Sequence, residues 1–79
     1  MENKVLSIIL DACDNKIIYK NKDINLFDTG LLDSMNFIEL LISLEEEFNI
    51  EIELAEINKS VMSTPNQLIM FIKSKVSLS

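Results

Sequence analysis

The segment that decides the fold is residues 27–48, FDTGLLDSMNFIELLISLEEEF. It opens as a loop with the chain's one glycine and continues with the apolar spacing of an amphipathic helix. Asp33 or Ser34 can serve as the N-cap, because either side chain offers an oxygen to the free backbone N–H groups of the first turn. The helix is predicted to end at Phe48 or Asn49. Its predicted buried face comprises Phe37, Leu40, Leu41, Leu44 and Phe48.

Two more helices are predicted on either side of this segment. The first runs from Glu2 to about Asp14, and its apolar residues are Val5, Leu6, Ile8, Ile9, Leu10, Ala12 and Cys13. The last helix begins with Thr64 as N-cap, Pro65 at the first helical position and Gln67 completing a capping box. Its apolar stripe comprises Leu68, Ile69, Ile72 and Val76.

The connections complete an all-α fold of three main helices plus one short helix, in a single domain over residues 1–79. Residues 15–32 are predicted to form a long ordered loop with one turn of helix, and loops of this length are usually functional. Residues 51–58 are predicted to supply the short helix. The side chains expected to pin the loop to the core are Ile17, Ile18, Ile24, Leu26, Phe27, Leu31 and Leu32.

The charge is concentrated in the middle of the chain, and the net charge is −6. Residues 23–58 contain ten acidic residues and no basic one, whereas all seven lysines lie outside them. Such a field repels nucleic acid and anionic membranes and attracts basic protein surfaces, although a solvated acidic surface is the alternative. The sequence also lacks the roughly 20 consecutive apolar residues that a membrane-spanning helix needs. We therefore expect a cytoplasmic monomer that binds proteins and neither nucleic acid nor the membrane interior.

The usual catalytic and metal-binding residues are scarce. The chain has no histidine and one cysteine, which excludes histidine-based triads, zinc sites built from several cysteines and an internal disulfide. Cys13 is interpreted as a small core residue. A calcium loop starting at Asn21 is rejected, because its sixth position is Leu26 instead of glycine and its twelfth is Leu32 instead of glutamate. An autonomous enzyme is the least favoured class.

Ser34 lies where the loop enters the central helix. If its hydroxyl were esterified to a phosphate, the anion would lie near unpaired N–H groups at the positive end of the helix dipole. The alternative is that Ser34 is only an N-cap, which is the commonest role of serine at such a position. Position alone favours the N-cap.

The whole pattern resembles the carrier-protein family, small four-helix proteins whose Asp-Ser serine carries 4′-phosphopantetheine. The resemblance covers nearly the whole chain, and it is strongest to the D-alanyl carrier subgroup through GLLDSM at residues 30–35 and STPN at residues 63–66. It implies a carrier-protein-like bundle that is not itself an enzyme. It also implies that Ser34 carries the arm, which a phosphopantetheinyl transferase takes from coenzyme A.

The resemblance further implies a route for the cargo. A D-alanine–carrier ligase would load D-alanine onto the arm as a thioester, and membrane-bound D-alanyl transfer machinery would deliver it to lipoteichoic acid in cell-wall biogenesis. Two alternatives stay open. One is a stand-alone acyl or aminoacyl carrier for fatty-acid, polyketide or peptide synthesis, and the other is an unmodified acidic helical adaptor.

The carrier hypothesis predicts a docking face next to Ser34, formed by Asp33, Met35, Glu39, Ile42 and Glu46. Charged groups steer a short-lived complex, and exposed methionine and isoleucine side chains add adaptable apolar contact. The alternative for Glu39 and Glu46 is a solvated surface without a partner. The alternative for Met35 and Ile42 is burial in the core.

Overall fold

The computed structural model describes residues 1–78 and contains four α-helices and two 3₁₀ turns. The helices are α1 (Glu2–Cys13), α2 (Ile17–Lys20), α3 (Ser34–Phe48) and α4 (Pro65–Leu78), and the 3₁₀ turns are Leu54–Glu56 and Lys59–Val61. The all-α prediction is confirmed, and the three main helices are α1, α3 and α4. The one turn of helix predicted within the long loop is α2. The short helix predicted over residues 51–58 is a single 3₁₀ turn, Leu54–Glu56, and a second 3₁₀ turn follows it at Lys59–Val61.

The core lies among the three long helices, and α1 packs against both α3 and α4. Its buried apolar side chains are Val5, Leu6, Ile9, Ile18, Leu26, Leu32, Phe37, Leu40, Leu41, Leu44, Met62, Leu68, Ile69 and Ile72. The long loop contributes three of these residues, so it is pinned to the core as predicted. The prediction that Ile17 helps to pin the loop to the core is wrong, because its side chain is 36% exposed. The single turn of α2 presents only the neighbouring Ile18 to the core.

The ends of α3 and α4 follow the local sequence. Asn49 ends α3 in the left-handed conformation (φ 53°), which asparagine tolerates better than most residues. At the start of α4, the backbone N–H of Gln67 donates to Thr64 Oγ1 at 3.1 Å. The backbone N–H of Thr64 donates to Gln67 Oε1 at 3.3 Å, which confirms the predicted capping box.

The loop before α3 is held by its own hydrogen bonds and by the turn before α4. Asn25 Oδ1 accepts from the backbone N–H groups of Phe27 and Asp28 at 3.0 and 2.9 Å. The backbone N–H of Leu26 donates to the carbonyl of Ser63 at 2.7 Å. The loop therefore enters α3 in a fixed position, although it is long.

A second long-range contact joins α4 to the first 3₁₀ turn. Lys75 Nζ lies 2.8 and 2.9 Å from the two carboxylate oxygens of Glu56, and Glu56 also accepts from the backbone N–H of Glu53 at 3.0 Å. These contacts lower the pKa of Glu56 below its ordinary value of 4.5, with the Lys75 hydrogen bond as the largest cause.

Within residues 1–78, none of the helices combines the length and the apolar character that crossing a bilayer requires.

Candidate functional site

Ser34 occupies the first helical position of α3, and its side chain is exposed. The N-cap is the preceding residue, Asp33, whose carboxylate accepts from the backbone N–H of Asn36 at 2.8 Å. Asp33 also has the extended backbone that an N-cap requires (φ −106°, ψ −179°). The interpretation of Ser34 as only an N-cap is therefore wrong, because the neighbouring carboxylate performs that role.

The side chain that contacts Ser34 is Lys59, at the start of the second 3₁₀ turn. Lys59 Nζ donates a hydrogen bond to Ser34 Oγ at 2.9 Å. The same ammonium group lies 5.0 Å from the centre of the Phe27 ring, within the range of a cation–π interaction. Phe27 in turn meets Phe37 edge to face, with the ring centres 5.1 Å apart. The site thus joins the loop, the start of α3 and the second 3₁₀ turn.

Sequence reasoning assigned no role to Lys59. The available signal is its position, since it is the first basic residue after the acidic stretch 23–58. This position indicates a basic side chain, but it does not indicate which residue the ammonium group contacts. The contact with Ser34 bridges a separation of 25 residues in the chain, and the path between them includes all of α3.

The residues of the predicted docking face are all exposed: Asp33 precedes α3 as its N-cap, and the other four lie along one side of the helix. Met35 is 73% exposed and Ile42 is 48% exposed, so the alternative of core burial is wrong for both. Glu39 and Glu46 are also exposed, and within residues 1–78 neither forms an ion pair with a lysine.

The exposed apolar surface extends beyond the residues that the sequence suggested. Ile38 on α3 is 44% exposed, and Leu54 in the first 3₁₀ turn is 84% exposed. Both line a shallow groove with Ile42 between α3 and the segment that follows it. The sequence analysis did not single out Leu54.

The three consecutive glutamates near the end of α3 have different surroundings. Glu45 accepts a hydrogen bond from the backbone N–H of Ile52 at 2.8 Å and so fixes the segment after the helix. Glu47 lies 3.7 Å from Lys4 on α1, whereas Glu46, which is also exposed, forms no ion pair within residues 1–78. Of the three, Glu46 is the carboxylate that is open to a partner.

Cys13 is half-buried at the end of α1 and packs against the core, as the interpretation of a small core residue requires. Its sulfur lies 3.7 Å from the carbonyl oxygen of Asn15.

Comparison with known proteins identifies the family. Residues 3–72 match the family described as "Phosphopantetheine attachment site". The chain therefore belongs to the phosphopantetheine-binding carrier protein family. It is similar to the D-alanyl carrier protein of Lacticaseibacillus casei, with 41% identity over 69 residues, 87% of this chain and 85% of that protein. It is also similar to the D-alanyl carrier proteins of Bacillus licheniformis (39% identity, 84% and 85% covered) and Abiotrophia defectiva (35% identity, 98% of both chains).

Membership of this family has direct consequences. The chain contains a phosphopantetheine attachment site, and carrier proteins of this family are not catalysts themselves. A carrier protein also implies a phosphopantetheinyl transferase that installs the arm and a ligase that loads it. The residues at the start of α3 fit such an arm chemically, because an exposed serine hydroxyl lies beside a single ammonium group that complements a phosphodiester.

Proposed function

We propose that Ser34 carries the 4′-phosphopantetheine arm. The observation that carries this proposal is the division of roles at the start of α3: Asp33 caps the helix, and the hydroxyl of Ser34 faces the surface. In the modification, Ser34 Oγ attacks the phosphorus of coenzyme A that bears the pantetheine. The Oγ–P bond forms, the P–O bond to adenosine 3′,5′-bisphosphate breaks, and a base of the transferase takes the serine proton.

We propose that the cargo is D-alanine. The support is the similarity to D-alanyl carrier proteins at 34–41% identity over most of the chain. The thiol of the arm would hold D-alanine as a thioester, supplied by an ATP-dependent D-alanine–carrier ligase. Membrane-bound transfer machinery would then pass the cargo to lipoteichoic acid. We place these loading steps in the cytoplasm, where coenzyme A and ATP are available.

The proposed docking face consists of Asp33, Met35, Glu39, Ile42 and Glu46. Its support is the exposure of these side chains on the side of α3 that begins at Ser34. A carrier visits several enzymes in turn, so its complexes must form fast and dissociate fast. Charge steering raises the association rate, and a small apolar patch adds contact without the large buried area of a permanent complex.

The test of the attachment site is intact-mass measurement after incubation with coenzyme A and a phosphopantetheinyl transferase of broad specificity. Wild type and the matched control Ser43→Ala, which changes another exposed serine of α3, are expected to gain one phosphopantetheine. Ser34→Ala is expected to gain none. A gain by Ser34→Ala would contradict the proposal and place the arm on another residue. No gain by folded wild type with an active transferase would also contradict it and would favour the unmodified adaptor.

The cargo is tested on the modified protein with ATP and a D-alanine–carrier ligase. We expect D-alanine to be added as a thioester that hydroxylamine removes, and we expect no such product on Ser34→Ala. Efficient loading by a ligase for another acyl or aminoacyl group, combined with failure of the D-alanine ligase, would instead identify a stand-alone carrier of another pathway.

A further inference from the structure

We propose that Lys59 is a positioning residue that pairs with the phosphate of the arm on Ser34. This inference rests on the proposed attachment at Ser34 and adds a role for a residue outside α3. Before modification the ammonium group donates to the serine hydroxyl, and after modification it pairs with the anionic phosphodiester.

The geometry places the ammonium group at the atom that is modified. Lys59 Nζ lies 2.9 Å from Ser34 Oγ, which becomes the ester oxygen. The phosphorus is bonded directly to this oxygen, so the anionic phosphate oxygens are only one bond further along. An ammonium group binds an anionic oxygen more strongly than an uncharged hydroxyl or ester oxygen. The same lysine can therefore serve both states with a small movement of its flexible side chain.

Contacts within the protein hold the lysine in this place. Its ammonium group lies 5.0 Å from the ring centre of Phe27, and that ring is fixed edge to face against the buried Phe37. Its backbone begins the second 3₁₀ turn, which Asn58 caps by accepting from the backbone N–H of Ser60 at 3.0 Å. The fold itself therefore already restricts the lysine side chain, so that pairing with the phosphate loses less conformational entropy.

The residues around Ser34 are acidic, so a phosphate on this serine would be repelled unless a cation lay beside it. A phosphodiester adds a negative charge next to the carboxylate of Asp33, within the stretch 23–58 that contains no basic residue. Asp28 lines the same shallow cleft as Lys59 and Phe27, so a second carboxylate lies nearby. Lys59 is the cation in contact with the serine and offsets this repulsion.

The test compares wild type with Lys59→Gln, Lys59→Arg and the matched control Lys20→Gln, which removes another exposed lysine. Each protein is studied before and after modification by coenzyme A and the transferase, and intact mass verifies the modification. Modification is expected to raise the melting temperature of wild type and of Lys20→Gln by about 1–5 °C, the range expected for one exposed charge pair in a domain of this size. Lys59→Gln is expected to lose this gain, and Lys59→Arg to keep most of it.

A second readout reports on the phosphate directly. The ³¹P resonance of the modified protein is expected to shift in Lys59→Gln and to stay in place in Lys20→Gln. In wild type alone, the gain in melting temperature is expected to shrink in about 1 M salt, because salt screens an exposed ion pair. The salt measurement uses wild type alone, so it does not require any variant to be modified.

The outcomes separate the two proposals. If wild type gains mass but Lys59→Gln keeps the same thermal gain and the same ³¹P resonance, the role of Lys59 is refuted and Ser34 still stands as the attachment site. If wild type gains no mass, the proposed function fails and the role of Lys59 fails with it.

Discussion

The carboxylate of Asp33 is expected to act in two separable ways, as a hydrogen-bond acceptor for the helix and as a charge for partners. Asp33→Ala removes both properties, whereas Asp33→Asn keeps an acceptor and removes the charge. Asparagine is about as good an N-cap as aspartate. The pair of variants therefore divides the contribution of Asp33 to stability from its proposed contribution to docking.

The size of the stability effect follows from the geometry at the start of α3. Asp33 accepts from the backbone N–H of Asn36 at 2.8 Å, and loss of such a cap costs about 1 kcal/mol. The negative charge near the N-terminus of an exposed helix adds about 0.3–1 kcal/mol. Asp33→Ala is therefore expected to lower the free energy of unfolding by about 1–2 kcal/mol, and Asp33→Asn by less than about 1 kcal/mol. A domain of this size has roughly 4–12 kcal/mol in total, so the alanine variant still folds.

The assay is urea unfolding followed by far-UV circular dichroism, with thermal melts alongside. The alanine variant is expected to lose about 5–10 °C in melting temperature and about 1 M in urea midpoint. The asparagine variant is expected to melt near wild type and yet to be modified more slowly by the transferase.

Two results would refute this reasoning. Equal stability of Asp33→Ala and wild type would show that the cap contributes nothing. Equal losses in Asp33→Ala and Asp33→Asn would show that charge, and not hydrogen bonding, holds the start of the helix.

Three further predictions concern other parts of the molecule. Gly30 has a φ of +76° and open space around an added Cβ, so Gly30→Ala is expected to lower the free energy of unfolding by about 1 kcal/mol from backbone strain alone. Gly30→Asn should lower it by less, as measured by urea unfolding. Equal losses in the two variants would contradict backbone strain as the cause. The pKa of Glu56 is lowered in the folded state, so its pair with Lys75 stabilises the protein above pH 4.5, and this contribution is lost as the pH falls through the lower folded value. The stability difference between wild type and Glu56→Gln should therefore shrink on acidification below that pH, and a difference that is constant with pH would rule out the ion pair as its source. On the docking face, the double variant Glu39→Gln/Glu46→Gln should slow arm installation or cargo loading by about three- to tenfold at low salt, with less effect at high salt. The exposed control variant Glu51→Gln should react at a rate close to that of wild type. If the control slowed the reaction as much as the double variant, the effect would come from the overall negative charge and not from the docking face.

The features that the sequence predicted correctly depend on short-range signals. The capping box of α4 needs only Thr64 and Gln67, three residues apart, and the structure contains both of its hydrogen bonds. The buried face of α3 follows from helical periodicity, because any amphipathic helix of this length turns its apolar stripe toward the core. Such signals are present in the local sequence whatever the rest of the chain does.

The features that were missed depend on contacts between distant segments. The hydrogen bond from Lys59 to Ser34 requires the second 3₁₀ turn to pack beside the start of α3, and no local pattern specifies that approach. Leu54 and Ile17 are apolar but exposed, because a single turn of helix cannot present every apolar side chain to the core. At the site, the serine and the acidic residues were visible in the sequence, whereas its cation was not.

From the contacts around Ser34 we also expect an order of events during synthesis of the chain. The amide of Leu26 needs the carbonyl of Ser63, and the hydroxyl of Ser34 needs the ammonium group of Lys59. A nascent chain that ends before these residues already displays the serine, but the loop in front of it has no anchor. We therefore expect the transferase to recognise the arm's attachment site only after the segment before α4 has left the ribosome. Installation of the arm is then expected to follow the packing of that segment against the loop before α3.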